Sequence, residues 1–237
     1  MLRGRMTTLD LQIETEVRAR KSQGISGDAI YEMVDSALEK RHSSGGILLD
    51  VGCGSGHLWR FVQTRFARYV GVDIVRYEGF PPDAEFHPLN LDTGRVPLPD
   101  GCADVVAAVE TIEHLENPRA CIRELTRLLR PGGWLVVTTP NQLSLLSKLT
   151  LVLKNRFNAF QDALYPAHIT ALLEVDLERM ARECDLTEIG IGYSLHGRIP
   201  ASAWHFPRVL SSQFPRCFSD NIGLIAKKPD ATPRNRI

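Results

Sequence analysis

Two groups of residues in this chain have the types and spacing to do chemistry. One is Asp50-Val51-Gly52-Cys53-Gly54-Ser55-Gly56, where glycines permit a tight turn and let backbone amides come close to a ligand with no Cβ in the way. The other is Glu110-Thr111-Ile112-Glu113-His114. Two carboxylates and an imidazole in so short a run can ligate a divalent metal, or His114 can serve as a general base. The same residues can instead form a turn after a strand, with Glu113 and His114 bonded to backbone. His168, which follows Thr139-Pro140-Asn141, strengthens the metal reading, whose ligand set is then Glu110, Glu113, His114 and His168.

Between the two groups lies Asp73. It stands about twenty residues past the first glycine, where a strand-end carboxylate accepts both hydroxyls of an adenosine ribose; an Asp capping a turn is the alternative. Two phosphate-binding readings of the glycine loop are disfavoured by its neighbours. The dinucleotide fingerprint needs glycine where His57 stands, and a P-loop needs Gly-Lys followed by Ser or Thr, which is absent.

These groups need strands and helices to present them. Residues 47–51 form a short apolar run of the kind buried on both faces of a sheet, separated by Ser43-Ser44-Gly45-Gly46 from helical periodicity over 29–38. A helix is expected over 57–66 and strands over 69–74, 105–109 and 134–139. Asn117-Pro118 opens a helix with Cys121, Ile122, Leu125, Leu128 and Leu129 on one face, and Pro131-Gly132-Gly133 ends it. A helix over 175–184 and strands over 186–193 and 221–227 follow. The alternation predicts an α/β fold, a doubly wound, Rossmann-like, mostly parallel sheet with helices on both faces. The expected organisation is an N-terminal helical cap over 1–44, a main domain over 45–228 with a substrate-side cover at 142–168, and a flexible tail at 229–237.

Composition bounds the partners. Hydrophobic residues at 43% and charged residues at 24% fit a soluble globular protein and exclude general disorder. Lys+Arg and Asp+Glu both total 28, so no global positive field draws the chain to nucleic acid. The five cysteines are widely spaced and form no Cys-x-x-Cys pair. With no signal-peptide run and no spanning segment in the sequence, they point to reduced thiols in the cytoplasm.

Asp50-x-Gly52-x-Gly54-x-Gly56, Asp73, Asp92 ahead of Val96-Pro97-Leu98-Pro99-Asp100-Gly101, Asp104-Val105-Val106 and Arg130-Pro131-Gly132-Gly133 follow one another across residues 47–141. This ordered set resembles that of class I S-adenosylmethionine-dependent methyltransferases. The resemblance implies a seven-stranded sheet and S-adenosylmethionine as cofactor. It implies that Gly52 and Gly54 approach the methionine moiety, Asp50 orients the loop and the cofactor's amino end, and Asp73 holds the ribose. Asp92 would meet the adenine amine, with Ile74, Leu91 and Val109 beside the cofactor. Residues 75–86, with Pro81-Pro82, depart from the family, which usually has a longer helix there.

Glu110-x-x-Glu113-His114 is similar to the acidic-histidine motif of ubiquinone-biosynthesis O-methyltransferases, some of which use a divalent ion. With His168 it also resembles small-RNA 2′-O-methyltransferases. Both methylate hydroxyls, which implies O-methylation of a small-molecule, lipid-like or saccharide acceptor, with His114 as the base. RNA is the weaker reading, because the chain lacks the basic and aromatic interleaving of an RNA surface. The motif set is also compatible with N- or C-methylation of a small metabolite, and with a non-catalytic cofactor-binding scaffold. On the acceptor side, the leucines of 143–153 alternate with Lys148 and Lys154, ahead of Arg156. That pattern suits an amphipathic helix making peripheral membrane contact through 142–160, or a lid packed on the domain. Residues 195–218, with Trp204, His205, Phe206, Phe214 and Phe218, are expected to line a substrate pocket or to join the core.

Overall fold

The computed structural model describes residues 16–17, 19–20 and 24–231. The expectations for the first fifteen residues and for the tail beyond 231 lie outside the described residues. Seven strands form one sheet: β1 (Ile47–Val51), β2 (Arg68–Asp73), β3 (Glu85–Pro88), β4 (Ala103–Ala108), β5 (Leu129–Pro140), β6 (Thr187–Tyr193) and β7 (Asn221–Lys227). Their order is β3-β2-β1-β4-β5-β7-β6. The first five run parallel, and β7 inserts antiparallel between β5 and β6. Strand order reverses between β1 and β4, the switch point at which open α/β sheets bind ligands beyond their carboxyl ends.

The described helices are α1 (Asp28–Glu39), α2 (Trp59–Val62), α3 (Pro118–Leu128), α4 (Leu145–Lys154), α5 (Glu174–Glu183) and α6 (Arg208–Gln213). Alternation along β1 sends Leu48 to one face and Leu49 to the other. Leu49 joins Ile122 and Leu125 of α3 and Leu177 of α5, while Leu48 joins Val34 and Leu38 of α1 and Val62 of α2. Each such side chain, once buried, contributes roughly 1.5–3 kcal/mol. Helix α1 is therefore part of the main core and not a separate cap. Asp104, at the start of β4, accepts the amide of Ile47 at 2.7 Å and Arg130 Nε at 2.6 Å, which ties β1, β4 and β5 together.

Three local expectations change. Helix α2 is a short segment between turns and does not fill 57–66. Pro131-Gly132-Gly133 does not end α3; the chain is already extended at Leu129. Ala103 pairs with Leu129 and Val105 with Trp134, so residues 130–133 bulge within β5, with Gly132 at a φ of 76°. Strand β3 was not apparent from the sequence, because Glu85-Phe86-His87-Pro88 is short, half polar and closed by proline.

Between β2 and β3, residues 75–84 form turns and no helix. Phe80 anchors these turns to the sheet. It is buried, stacks on Tyr69 with ring centroids 5.7 Å apart, and meets Phe86 edge-on at 5.2 Å. Gly71 of β2 leaves room for it, since a Cβ there would sit 2.4 Å from Phe80 Cε2. Phe80→Ala is therefore expected to cost about 3–5 kcal/mol in urea unfolding with an unchanged m-value, and a cost under about 1 kcal/mol would contradict this packing role.

Candidate active site

A cavity of about 400 Å³ opens at the carboxyl ends of β1, β2 and β4. The glycine loop leaves β1 with Gly52, Gly54 and Gly56 all at positive φ. A Cβ on Gly52 would lie 2.3 Å from Thr111 Oγ1, and one on Gly54 would lie 2.1 Å from the Gly24 carbonyl oxygen. The second contact shows that an N-terminal strap crosses the loop. Ser55 N donates to the Gly24 oxygen at 2.9 Å, and Tyr77 Oη donates to the Ala19 oxygen at 2.6 Å. Gly24 to Gly27 and Tyr31 line the cavity. Sequence reasoning did not find the strap; the spacing of Gly24 and Gly27 just before a helix was its only signal.

Asp73 ends β2 at the cavity, where its Oδ2 accepts the Gly54 amide at 2.9 Å and its Oδ1 the Val75 amide at 3.2 Å. It thus caps the turn and faces the ligand space at once. Burial raises its pKa against the lowering effect of these amides. Asp50, on β1, is 2% exposed. Its Oδ2 accepts Tyr69 Oη at 2.7 Å, while its Oδ1 is buried with no partner. Burial pushes its carboxyl up to about 7; the Tyr69 bond opposes this and the charge of Asp73 adds to it. Ile74, Leu91 and Val109 give the cavity apolar wall, and Asp92 lies on its lining with Oδ1 accepting the Glu116 amide at 2.8 Å.

The acidic-histidine residues separate into two sets. Glu110, at a φ of 49°, accepts Thr138 Oγ1 at 2.9 Å on Oε1 and Asn221 Nδ2 at 2.7 Å on Oε2. Both of its oxygens are engaged by β5 and β7, so Glu110 is not brought to the other three. Glu113, His114 and His168 do converge, each offering a ligand atom within 4.8 Å of the others. Glu113 is fully buried; Oε2 accepts Thr139 Oγ1 at 3.2 Å and Oε1 has no partner. Burial raises the pKa of both glutamates, and the charge of Glu113 adds to the rise at Glu110.

The two imidazoles share one arrangement. His114 Nδ1 lies 2.7 Å from the Ala167 oxygen, and His168 Nδ1 lies 2.7 Å from the Ala159 oxygen. A carbonyl only accepts, so each Nδ1 carries a proton, and in the neutral ring the lone pair is on Nε2. His114 Nε2 is 4.0 Å from Glu113 Oε1, and the rings meet edge-on at 4.8 Å. Burial, and then the neighbouring His114, bring the His168 pKa down to about 4, keeping that ring neutral near pH 7. No Lys or Arg lines the cavity among the described residues. Residues 195–218 do not reach it either; Leu195 and Arg208 line a second groove, about 250 Å³, between α1 and the β5-β7-β6 side of the sheet.

The arrangement is suited to a ligand that carries positive charge, a flat apolar part and hydroxyls. A family model described as "Methyltransferase domain" matches residues 28–189. The chain is 30% identical over 174 residues to a ubiquinone biosynthesis O-methyltransferase of Chromobacterium violaceum, covering 67% of this chain and 74% of that one. Other curated relatives are matched over less than half of their own length, 43–45%. Two crystal structures share the fold. A SAM-dependent methyltransferase from Archaeoglobus fulgidus superposes with a TM-score of 0.61 at 18% identity, covering 84% of this chain and 94% of that one. The 1,6-didemethyltoxoflavin-N1-methyltransferase of Burkholderia thailandensis, solved with 1,6-didemethyltoxoflavin and S-adenosylhomocysteine bound, gives 0.60 at 13% identity, covering 97% and 94%.

The raised pKa of Asp50 makes a stability prediction for the ligand-free protein. Between the ordinary carboxylate value near 4 and the folded value of about 7, the native state holds a proton that the unfolded chain has lost. Stability from this group is therefore greatest at low pH, falls as pH rises to about 7, and is flat above. Asp50→Asn removes that fall and should stabilise the ligand-free protein by roughly 2–4 kcal/mol above pH 7, with the gain shrinking towards pH 5. Urea unfolding across pH checks this, and a variant less stable than wild type at alkaline pH would contradict it.

Proposed function

The chain belongs to the class I S-adenosylmethionine-dependent methyltransferases, and we propose that it moves the cofactor's methyl group to a hydroxyl oxygen of a small-molecule acceptor beside Glu113, His114 and His168. The observation that carries this reading is a pair of buried carboxylate oxygens, Asp50 Oδ1 and Glu113 Oε1, without partners in one cavity that no Lys or Arg lines among the described residues. Each asks for a cation. Asp50 Oδ1 suits the ammonium of the cofactor's methionine end. Asp73 retains acceptor capacity for the ribose hydroxyls, since each carboxylate oxygen can take more than one hydrogen bond. Ile74, Leu91 and Val109 would pack on the nucleoside, with Asp92 towards the adenine amine.

The other oxygen belongs to a donor set of one carboxylate and two imidazoles whose tautomers are fixed by backbone carbonyls, a pattern fitted to a divalent metal. Such an ion, when bound, supplies a Lewis acid that lowers the pKa of an acceptor hydroxyl. Glu113, His114 and His168 would hold it. Glu110 instead braces the end of β4 against Thr138 and Asn221. His114 Nε2 has one lone pair, so it can ligate an ion or take the acceptor's proton, and not both at once. If His114 acts as a metal-free base, the Ala167 carbonyl facing Nδ1 supports the charged ring. In the transfer itself the acceptor oxygen forms its bond to the methyl carbon as the carbon–sulfur bond breaks in line. The chain contributes proximity, alignment and exclusion of water. The naming of the Chromobacterium relative as an O-methyltransferase supports oxygen as the acceptor atom. The five free cysteines fit the cytoplasm as the proposed compartment.

Radiolabelled methyl transfer into fractionated cell extract should give products that carry the label as methyl ethers; label on nitrogen or carbon alone would overturn the choice of oxygen. Asp73→Ala is expected to weaken binding of S-adenosylmethionine by roughly 1.5–3 kcal/mol in calorimetry, the loss typical of hydrogen bonds to a charged group. Unchanged affinity in a folded variant would remove Asp73 from the site. Chelation should abolish turnover while sparing cofactor affinity, and Glu113→Gln should lower both turnover and the metal content found by elemental analysis. Full turnover in protein shown to be metal-free would leave proton removal to His114 alone.

A further inference from the structure

The groove of about 250 Å³ between α1 and the β5-β7-β6 side of the sheet shares no lining residue with the cofactor cavity. Ile30 and Tyr31 of α1 border the cavity, whereas Met33 and Ala37 of the same helix border the groove. The floor of the groove is bare sheet. Gly190 and Gly192 stand two residues apart on β6 and so share a face, and Gly192 pairs with Gly223 of β7. Packing does not demand the two glycines of β6. A Cβ on Gly190 would lie 3.6 Å from Ile225 Cγ2, and one on Gly192 would lie 3.8 Å from the Gly223 oxygen and from Met33 Sδ, all ordinary contact distances. Neither residue has a positive φ. A side chain could therefore stand at either position and would favour the strand, because glycine weakens a strand interior. What the glycines preserve is flat open space against the sheet, where another molecule can approach the backbone closely.

Charge selects the occupant of that space. The groove is lined by Lys40, Arg41 and Arg208 and by a single carboxylate, Glu32, which already faces Arg208 Nη2 at 3.8 Å. Lys40 and Arg41 stand at the carboxyl end of α1, and no carboxylate pairs with either among the described residues. Arg41 Nη1 donates to the Ala37 oxygen at 3.1 Å, while its Nη2 lies 4.0 Å from the place of a Gly190 Cβ. The guanidinium is thus held at the floor with donors to spare, since it carries five N–H groups. Met33, Ala37, Val136 and Ile225 supply apolar wall, and methionine adapts to irregular shapes. The cofactor cavity is opposite in sign, lined by Asp50, Asp73, Asp92, Glu110 and Glu113 with no Lys or Arg among the described residues. We propose that the groove is a second ligand site, which takes a flat apolar molecule bearing an anionic group, with its body on the Gly190–Gly192 floor and its anion at Arg41 and Lys40.

Fluorescence titration of the full chain with 8-anilinonaphthalene-1-sulfonate and with its uncharged counterpart, N-phenyl-1-naphthylamine, tests this without reference to methyl transfer. Saturating S-adenosylhomocysteine keeps both probes out of the cofactor cavity. The sulfonate should bind at one site per chain and at least about tenfold more tightly than the uncharged probe, the margin expected of hydrogen bonds to a charged group. Lys40→Gln with Arg41→Gln should remove that preference and leave the affinity for the uncharged probe unchanged. Gly192→Val should abolish binding of both probes without lowering the urea midpoint, because it fills the groove and suits a strand; a retained midpoint separates a filled groove from an unfolded chain. Absence of saturable sulfonate binding to the wild type, equal affinity for the two probes, or unchanged sulfonate affinity in the folded double variant would overturn the proposal. So would wild-type binding by folded Gly192→Val, which would place the probe elsewhere.

Discussion

The structure depends on gathering carboxylates out of water in a cavity that no Lys or Arg lines among the described residues. Parallel strands end side by side at one edge of the sheet, and Asp50, Asp73, Glu110 and Glu113 all stand at or just beyond such ends. An isolated buried carboxylate costs several kcal/mol unless it is paired, hydrogen-bonded or protonated. The protein answers that cost differently at each position. Asp73 accepts backbone amides of the glycine loop and the next turn. Glu110 accepts a threonine and an asparagine from neighbouring strands. Asp50 and Glu113 each keep one oxygen without a partner, and their pKa values rise as a result. Those two oxygens are where the cavity is unfinished.

The surrounding elements hold this edge in place. The sheet is anchored by apolar layers on both faces, and the Asp104 bonds to Ile47 and Arg130 fix the relation of β1, β4 and β5 far from the cavity. Close approach over the glycine loop is possible only because Gly54 has no Cβ, which lets the Gly24 carbonyl take the Ser55 amide. On the opposite side the Glu113 carbonyl accepts the amides of Ile169 and Thr170, both at 3.0 Å, while Ala167 holds His114. The cover and the turn after β4 are therefore one hydrogen-bonded unit. A strap above the loop and a cover beside the histidines leave the space between them for two reactants.

How much of this was legible in the sequence follows from how local each feature is. The glycine loop and Asp73 were legible because they form one unbroken strand, turn and strand end. Of the four expected ligands the fold brings Glu113, His114 and His168 together, while Glu110 bonds to β5 and β7. The short run places them close in sequence, but the helical turn begins only at Ile112, and Glu110 stands outside it in a left-handed conformation. Strand β3 and the strap left little trace, the first because it is short and polar, the second because its contact with the loop is purely tertiary. The amphipathic character of α4 was visible, whereas the burial of Ser147 and Thr150 on its inner side depends on hydrogen bonds that no periodicity encodes. For residues 195–218 composition left both a pocket wall and the core open, and they do not reach the cavity.

If the cavity is completed by the cofactor's positive charge, the ammonium group must replace the proton that Asp50 holds near pH 7. Calorimetric titration with S-adenosylmethionine in buffers of different ionisation enthalpy measures this directly. The account predicts net proton release on binding at pH 7, a release that vanishes in Asp50→Asn while the variant still binds, more weakly. Binding without proton release in the wild-type protein, or equal release in Asp50→Asn, would contradict it.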